Sequence, residues 1–102
     1  MVLEQFVITV DPARQAEFEA AMERGLRTVM ARAEGLLDWS FRRCVETPQR
    51  YQVQIRWTSI EAHMVSYRNG PLAPEFRAIV LPFFAGLAEV QHFEVLASGD
   101  PT

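Results

Sequence analysis

The chain is poor in the residues that mark several classes of protein. Its 102 residues include one cysteine, two histidines and no lysine, so all ten basic residues are arginines. A single cysteine cannot form an internal disulfide, and no apolar run approaches the ~20 residues that span a bilayer. No basic stretch followed by an apolar segment occurs at the N-terminus. We therefore expect a cytoplasmic protein without a disulfide and without a membrane-spanning segment.

The charge and motif content excludes further classes. The formal net charge is −3, and the arginines are spread along the chain instead of clustered, which argues against a nucleic-acid partner. There is no glycine-rich phosphate loop, and the two histidines lie on different predicted elements without the spacing of metal ligands. We predict no metal and no cofactor. The length suits one domain, predicted over residues 1–97, with a short tail at 98–102.

Alternation of apolar and polar residues predicts four strands, at 2–10, 36–45, 51–57 and 90–97. The segment 46–50, which contains a proline, is a short connection between the second and third strands.

Two helical regions separate these strands. Asp11 and Pro12 are an N-cap and a first-turn proline, and they open a long helix that ends near Gly35. Thr58 and Glu61 have the spacing of a capping box, which predicts a second helix directly after the third strand. That helix ends at 69–71, and a short helix follows at 72–81 before a linker through 84–86.

This order of elements is typical of an α+β ferredoxin-like domain, a split βαβ unit with a four-stranded antiparallel sheet. Such a sheet is covered by helices on one face only. Because the predicted strands carry apolar residues on both faces, we expect the open face to pack on a second copy in a homodimer.

The residues that could carry chemistry lie around the third strand and the helices after it. Trp57 either closes that strand in the core or forms a platform for an aromatic substrate. His63 is either a partly exposed helix residue or a general acid and base. Tyr67 shares its helix face and either fills the core or lines a pocket. Arg77 is either solvated or paired with Glu75, or it stabilises an anion.

Two other residues are assigned structural roles. His92 alternates with its neighbours on the last predicted strand, so we expect it to contact the sheet or a second copy. Cys44 lies beside Arg43, but no base partner of a nucleophile accompanies it, so we interpret it as a structural thiol.

Three segments, EGLLDWSFRRCVETPQRY, RWTSIEAHMVSYRNGP and FRAIVLPFF followed by EVQHFEV, resemble the antibiotic biosynthesis monooxygenase domain. That resemblance implies a dimeric α+β barrel. The chain is similar to the quinone-forming oxygenases of the family at Trp57 and Arg77, and it has His63 at the position of their tyrosine. Phe41 and Val53 stand where those enzymes have a tyrosine and an asparagine that contact substrate, which implies positions in the substrate site.

The resemblance implies a cofactor-independent monooxygenase that converts a phenol or hydroquinone to a quinone with molecular oxygen. His63, Arg77 and Trp57 are its candidate catalytic residues, and Tyr67 is a further candidate substrate contact. The alternative is a non-catalytic dimer that binds a small molecule or takes part in a stress response. Haem degradation fits poorly, because the asparagine, tryptophan and histidine of that branch have no counterparts here.

Overall fold

The chain folds into one antiparallel sheet with helices packed on one of its faces. A computed structural model describes residues 1–87 and 89–101. The elements are β1 (Val2–Val10), α1 (Gln15–Thr28), β2 (Leu36–Arg43), β3 (Arg50–Trp57), a π-helix (Ala62–Tyr67), α2 (Leu72–Val80), β4 (Phe84–Leu87) and β5 (Gln91–Phe93). Single 3-10 turns lie at Pro12–Arg14, Met30–Arg32 and Leu81–Phe83. No helix among the described residues is long and apolar enough to cross a bilayer.

The strand order is β2, β3, β1, β4, and β5 also pairs with β1. All pairs are antiparallel, as in the predicted α+β fold. The two short strands share one edge of β1: β4 pairs with its end near Ile8 and β5 with its beginning near Leu3. The fourth position of the predicted sheet is therefore divided between two strands.

The core lies between the sheet and the two α-helices. Alternate residues of β1 and β3 point into it, and α1 and α2 each bury one stripe of side chains against them. At the crossing of the helices Gly25 allows Phe76 to approach closely, since an added Cβ would lie 2.9 Å from the phenyl ring. This packing holds α2 against α1.

The predicted extents of β1 and β3 are confirmed to within one residue, and the chain reverses at Gly35 with φ +85°. The C-terminal part differs from the prediction. The predicted linker at 84–86 is wrong: these residues belong to β4, because the unpaired edge of β1 offers them hydrogen-bonding partners. The strand predicted at 90–97 is limited to β5, because its pairing with β1 ends at Leu3 and Phe93, one residue from the beginning of β1.

The open face of the sheet is more polar than expected. Leu3 and Val7 are only partly exposed there. Among their neighbours Gln54 donates to the side chain of Gln5 at 3.0 Å, and Arg56 forms an ion pair with Asp38 on β2. The open face therefore combines apolar side chains with polar ones that are hydrogen-bonded or ion-paired.

The helical segment after β3 begins one residue later than predicted. Thr58 remains tied to the end of the sheet, because its amide donates to the carbonyl of Gly35 at 2.8 Å. Ser59 acts as the cap instead: its Oγ accepts from the amide of Ala62 at 3.2 Å. The capping box of Thr58 and Glu61 is thus wrong, although the helix itself is present.

We predict that Ser59→Ala lowers the free energy of unfolding by about 1 kcal/mol, because a helix-start amide loses its side-chain acceptor. Urea unfolding followed by circular dichroism measures the change. Glu61→Ala is the matched control, since it removes the side chain that a capping box requires, and it should stay within about 0.5 kcal/mol of the parent, as exposed substitutions do. A larger loss in the control than in the Ser59 variant would restore the capping box.

Candidate functional site

A buried carboxyl lies at the centre of the candidate site. Glu4 occupies an inward-facing position of β1, opposite Ile55 on β3 and one inward position away from Trp57. Both Glu4 and Trp57 are buried, and the indole Nε1 of Trp57 donates to Oε1 of Glu4 at 2.9 Å. The tryptophan therefore supplies the hydrogen bond that a buried carboxyl requires.

His63 lies on top of this pair. The π-helix follows β3 after a short turn and returns over its last residue, so the imidazole stacks on Trp57 with ring centroids 5.1 Å apart and planes at 17°. Nε2 of His63 is 3.5 Å from the same Oε1 of Glu4. The turn of the π-helix is wider than that of an α-helix, and a hydrogen bond from the amide of Arg68 to the carbonyl of His63 at 3.0 Å closes it. Such turns are frequent at functional sites.

His92 completes a row of four polar side chains. It stands on β5 directly opposite Glu4, and its Nε2 is 2.7 Å from Nδ1 of His63. One of these nitrogens donates and the other accepts, so the bond couples the tautomers of the two rings. His92 is only half-buried, and it connects the buried carboxyl of Glu4 with the protein surface.

Burial controls the ionisation of these groups. It raises the pKa of Glu4 to about 7, and the Trp57 hydrogen bond and the charge of Arg68 counteract this only in part. Burial also lowers the pKa of His63 to about 4, with smaller contributions from His92 and Arg68. The pKa of His92 is lowered by burial and then by Arg68. Both imidazoles are therefore neutral at neutral pH.

A cavity of about 220 Å³ opens beside this row, between the sheet edge, the π-helix and α2. Most of its wall is apolar and consists of Phe6, Phe76, Val80, Leu81, Phe84, Leu87 and Val90. Its polar lining consists of Glu4, His63, Tyr67, Arg68 and Arg77. An apolar pocket with a few convergent polar groups is the usual form of a small-molecule site.

Three of the predicted site residues, His63, Tyr67 and Arg77, line this cavity. Burial raises the pKa of Tyr67 to about 12, as does the nearby charge of Glu4, while Arg77 lowers it, so the phenol stays protonated. Trp57 does not line the cavity. It is fully buried beside His63 and Tyr67, with ring centroids 5.1 and 5.6 Å away.

The structure does not bring Phe41 and Val53 to this cavity. Val53 is fully buried in the core, where it pairs with Phe6 of β1. Phe41 stacks on Tyr51 at 5.4 Å and borders a separate hollow beside Glu19 of α1. The reason is the strand order, since β1 separates β3, which carries Val53, and β2, which carries Phe41, from β4 and β5. Neither residue is part of the candidate site.

Sequence reasoning missed Glu4, Arg68 and His92 as site residues. A signal for Glu4 existed, because it is the only charged residue among the inward positions of β1. His92 was predicted to contact the sheet, and it does so opposite Glu4. Its pairing with His63 had no signal, because it follows from the register of β5. The described residues contain no group of three side chains arranged to hold a metal ion.

The opposite pKa shifts of Glu4 and His63 predict a characteristic dependence of stability on pH. The raised pKa of Glu4, from 4.5 to about 7, contributes to the free energy of unfolding. This contribution is fully present below pH 4.5 and is lost as the pH rises to about 7. The lowered pKa of His63, from 6.5 to about 4, gives stability that is full above pH 6.5 and lost as the pH falls to about 4.

In the parent these two dependences oppose each other between pH 4.5 and 6.5. We predict that Glu4→Gln becomes more stable as the pH rises through this window and that His63→Gln becomes less stable, by up to ~1.4 kcal/mol per pH unit for one proton. Urea unfolding across a pH series measures both slopes, with the exposed Glu61→Gln as control. Parallel curves for the parent and both variants would contradict the assigned shifts.

Comparison with known proteins gives the family of the chain. The family model for antibiotic biosynthesis monooxygenase matches residues 1–80. A crystal structure of a candidate antibiotic biosynthesis monooxygenase from Bordetella bronchiseptica is 32% identical, with a TM-score of 0.85, and the alignment covers 94% of this chain and 97% of that one.

Two more distant relatives agree. The uncharacterized protein YczJ of Bacillus subtilis is 24% identical over 94 residues, which cover 92% of this chain and 98% of YczJ. A mutant of SnoaB, a cofactor-independent oxygenase from Streptomyces nogalater, shares the fold with a TM-score of 0.78 at 21% identity, covering 95% of this chain and 94% of SnoaB. On the family match and the Bordetella relative together, the chain belongs to the antibiotic biosynthesis monooxygenase family.

Proposed function

We propose that the protein is a cofactor-independent monooxygenase that oxidises a small electron-rich phenol or hydroquinone to a quinone with molecular oxygen. The observation that carries this proposal is the cavity, whose apolar wall meets a cluster of acid, base and cationic groups. Its volume of about 220 Å³ is below the ~300–1,000 Å³ of most ligand sites, which favours one or two fused rings. Family membership and the activity that SnoaB is named for support the reaction type.

The proposed chemistry uses the substrate as its own source of electrons. The buried acid–base cluster that contains His63 removes the phenolic proton, and the resulting phenolate gives two electrons in all to oxygen as a carbon–oxygen bond forms. The removed proton returns to the peroxide oxygen. Loss of the hydrogen on the same ring carbon and cleavage of the O–O bond then release water and leave the quinone.

The other residues of the cavity would bind and stabilise. Arg77 carries a permanent charge at the cavity wall, where it is exposed to solvent, and would stabilise the phenolate and the peroxide anion. Tyr67 and Phe76 would form aromatic walls for the ring. Trp57 would contribute from outside the cavity, because it holds His63 through stacking and Glu4 through its indole N–H.

The second candidate function is non-catalytic binding of a small apolar molecule. The observation in its favour is that seven of the twelve described residues that line the cavity are apolar. Under this alternative, phenols would bind without consuming oxygen.

We further propose a homodimer that acts in the cytoplasm. Phe93 and Val95, 43% and 47% exposed, lie on or just after β5 and would be covered by a second copy. Sedimentation velocity should give twice the chain mass of 11.7 kDa, and a monomer at micromolar concentration would contradict the dimer.

For the compartment, the single cysteine is consistent with a reducing environment. Cell fractionation tests this proposal, and recovery outside the cytoplasmic fraction would contradict it.

The test of the proposed function is oxygen uptake by purified protein with naphthols and hydroquinones, without flavin and with a chelator present. We expect uptake with quinone formation, and we expect Arg77→Ala to lower kcat by about 10²-fold because an anion-stabilising group is lost. Arg24→Ala is the matched control, since Arg24 lies exposed on α1 away from the cavity.

Uptake that is equal in the parent and the Arg77 variant would contradict the role of Arg77. Binding of panel members by calorimetry, without uptake above the blank for any of them, would replace the oxygenase with the binding function.

A further inference from the structure

The two oxygens of the Glu4 carboxyl have different surroundings. Oε1 accepts from Trp57 and faces His63, whereas Oε2 forms no hydrogen bond with the described residues. Every fully buried side-chain nitrogen or oxygen in that part of the chain has a partner, so Oε2 is not sealed in the core. This leaves an accessible, unbonded carboxyl oxygen on a residue that lines the cavity.

The imidazole of His63 is hydrogen-bonded at one of its two nitrogens. Nδ1 is bonded to His92 at 2.7 Å, whereas Nε2 lies 3.5 Å from Oε1 of Glu4 without a hydrogen bond. A phenol would have to displace His92 to reach Nδ1, and at Nε2 it would share the nitrogen with Oε1 of Glu4. It would reach Oε2 of Glu4 without displacing any hydrogen bond.

We propose that Glu4 is the catalytic base that meets the substrate through Oε2, and that His63 and His92 are positioning residues that hold its carboxyl. This inference rests on the proposed oxygenase function and assigns its proton transfer to one atom. In the step, the phenol O–H bond breaks and an O–H bond forms at Oε2. The negative charge passes from the carboxylate to the phenolate, and the proton later leaves Oε2 for the peroxide oxygen.

The charges around Glu4 suit this exchange. Arg68 follows the π-helix and Arg77 lies on α2, and both line the cavity, so a phenolate formed there would face two cations. The remaining titratable neighbours are Tyr67, which stays protonated, and the two histidines, which stay neutral at neutral pH. A carboxyl pKa of about 7 allows the group both to accept and to return a proton near neutrality.

His92 has a defined part in this arrangement. Its bond to Nδ1 fixes the tautomer of His63 and thereby decides whether Nε2 presents a proton or a lone pair to Glu4. A change at His92 should therefore shift the pH at which Glu4 titrates. If His92 had only a structural role, its substitution would lower the stability of the protein and leave the pH at which Glu4 titrates unchanged.

The kinetic test compares Glu4→Gln with the exposed control Glu61→Gln. Glutamine keeps an acceptor for Trp57 but cannot take a proton. In the parent we expect kcat to rise through about pH 7 as the carboxyl ionises, and in Glu4→Gln we expect a fall of about 10²- to 10⁴-fold without that rise. Glu61→Gln should retain the parent profile, and His92→Gln should shift the midpoint. Parent-like kinetics in Glu4→Gln would overturn the proposal.

A second test does not depend on catalysis. Because the chain has two histidines, ring signals of labelled protein report His63 and His92 without overlap from others. We expect both to shift near pH 7 in the parent and in Glu61→Gln, and this inflection to vanish in Glu4→Gln. An inflection that persists in Glu4→Gln would overturn the link between the carboxyl and the histidines. An inflection lost as expected, in a protein without oxygen uptake, would reject the oxygenase function and leave the link standing.

Discussion

The hydrogen bond between the indole of Trp57 and the carboxyl of Glu4 is the interaction on which the site depends. A carboxyl in an apolar core is costly unless its oxygens are bonded. Here a fully buried tryptophan on the neighbouring strand supplies one donor to one oxygen, and the other oxygen is left for the cavity. The same indole supports the imidazole of His63. Loss of Trp57 would remove the partner of the acid and the platform of the base together.

The sheet edge provides the space for the cavity. On the other side of β1, β3 pairs along eight residues, but the fourth position is shared by two short strands. Leu87 of β4 and Gln91 of β5 are four residues apart in the chain. Their partners on β1, Ile8 and Gln5, are only three residues apart. The two short strands therefore pair with β1 in registers that differ by one residue, and irregular strands are common next to active sites.

The fold could be predicted wherever a periodic pattern decided the structure. The alternation in β1 and β3 was sufficient, because every second residue is buried under the helices. The four residues of β4 do not alternate, and their strand depends on the free edge of β1, which local sequence cannot show. The slip of the helix cap by one residue came from the bond of Thr58 to Gly35, a contact between distant segments.

The site was predictable only where it is local in sequence. His63 and Tyr67 are four residues apart on one helical segment, and their shared position at the cavity follows from that spacing. Arg77 was suggested by family resemblance, which failed for Phe41 and Val53 because they lie beyond reach of this edge of the sheet. Glu4 and His92 meet through the pairing of the first and last strands, and register is set by tertiary structure.

The most direct measurement is a crystal structure of the protein with a naphthol, prepared without oxygen so that the ligand is not consumed. The account predicts the ring between Tyr67 and Phe76 and the phenolic oxygen within hydrogen-bond distance of Oε2 of Glu4, on the side of Arg77. A naphthol bound elsewhere, or one that enters the cavity with its oxygen turned away from Glu4 and Arg77, would contradict the central claim.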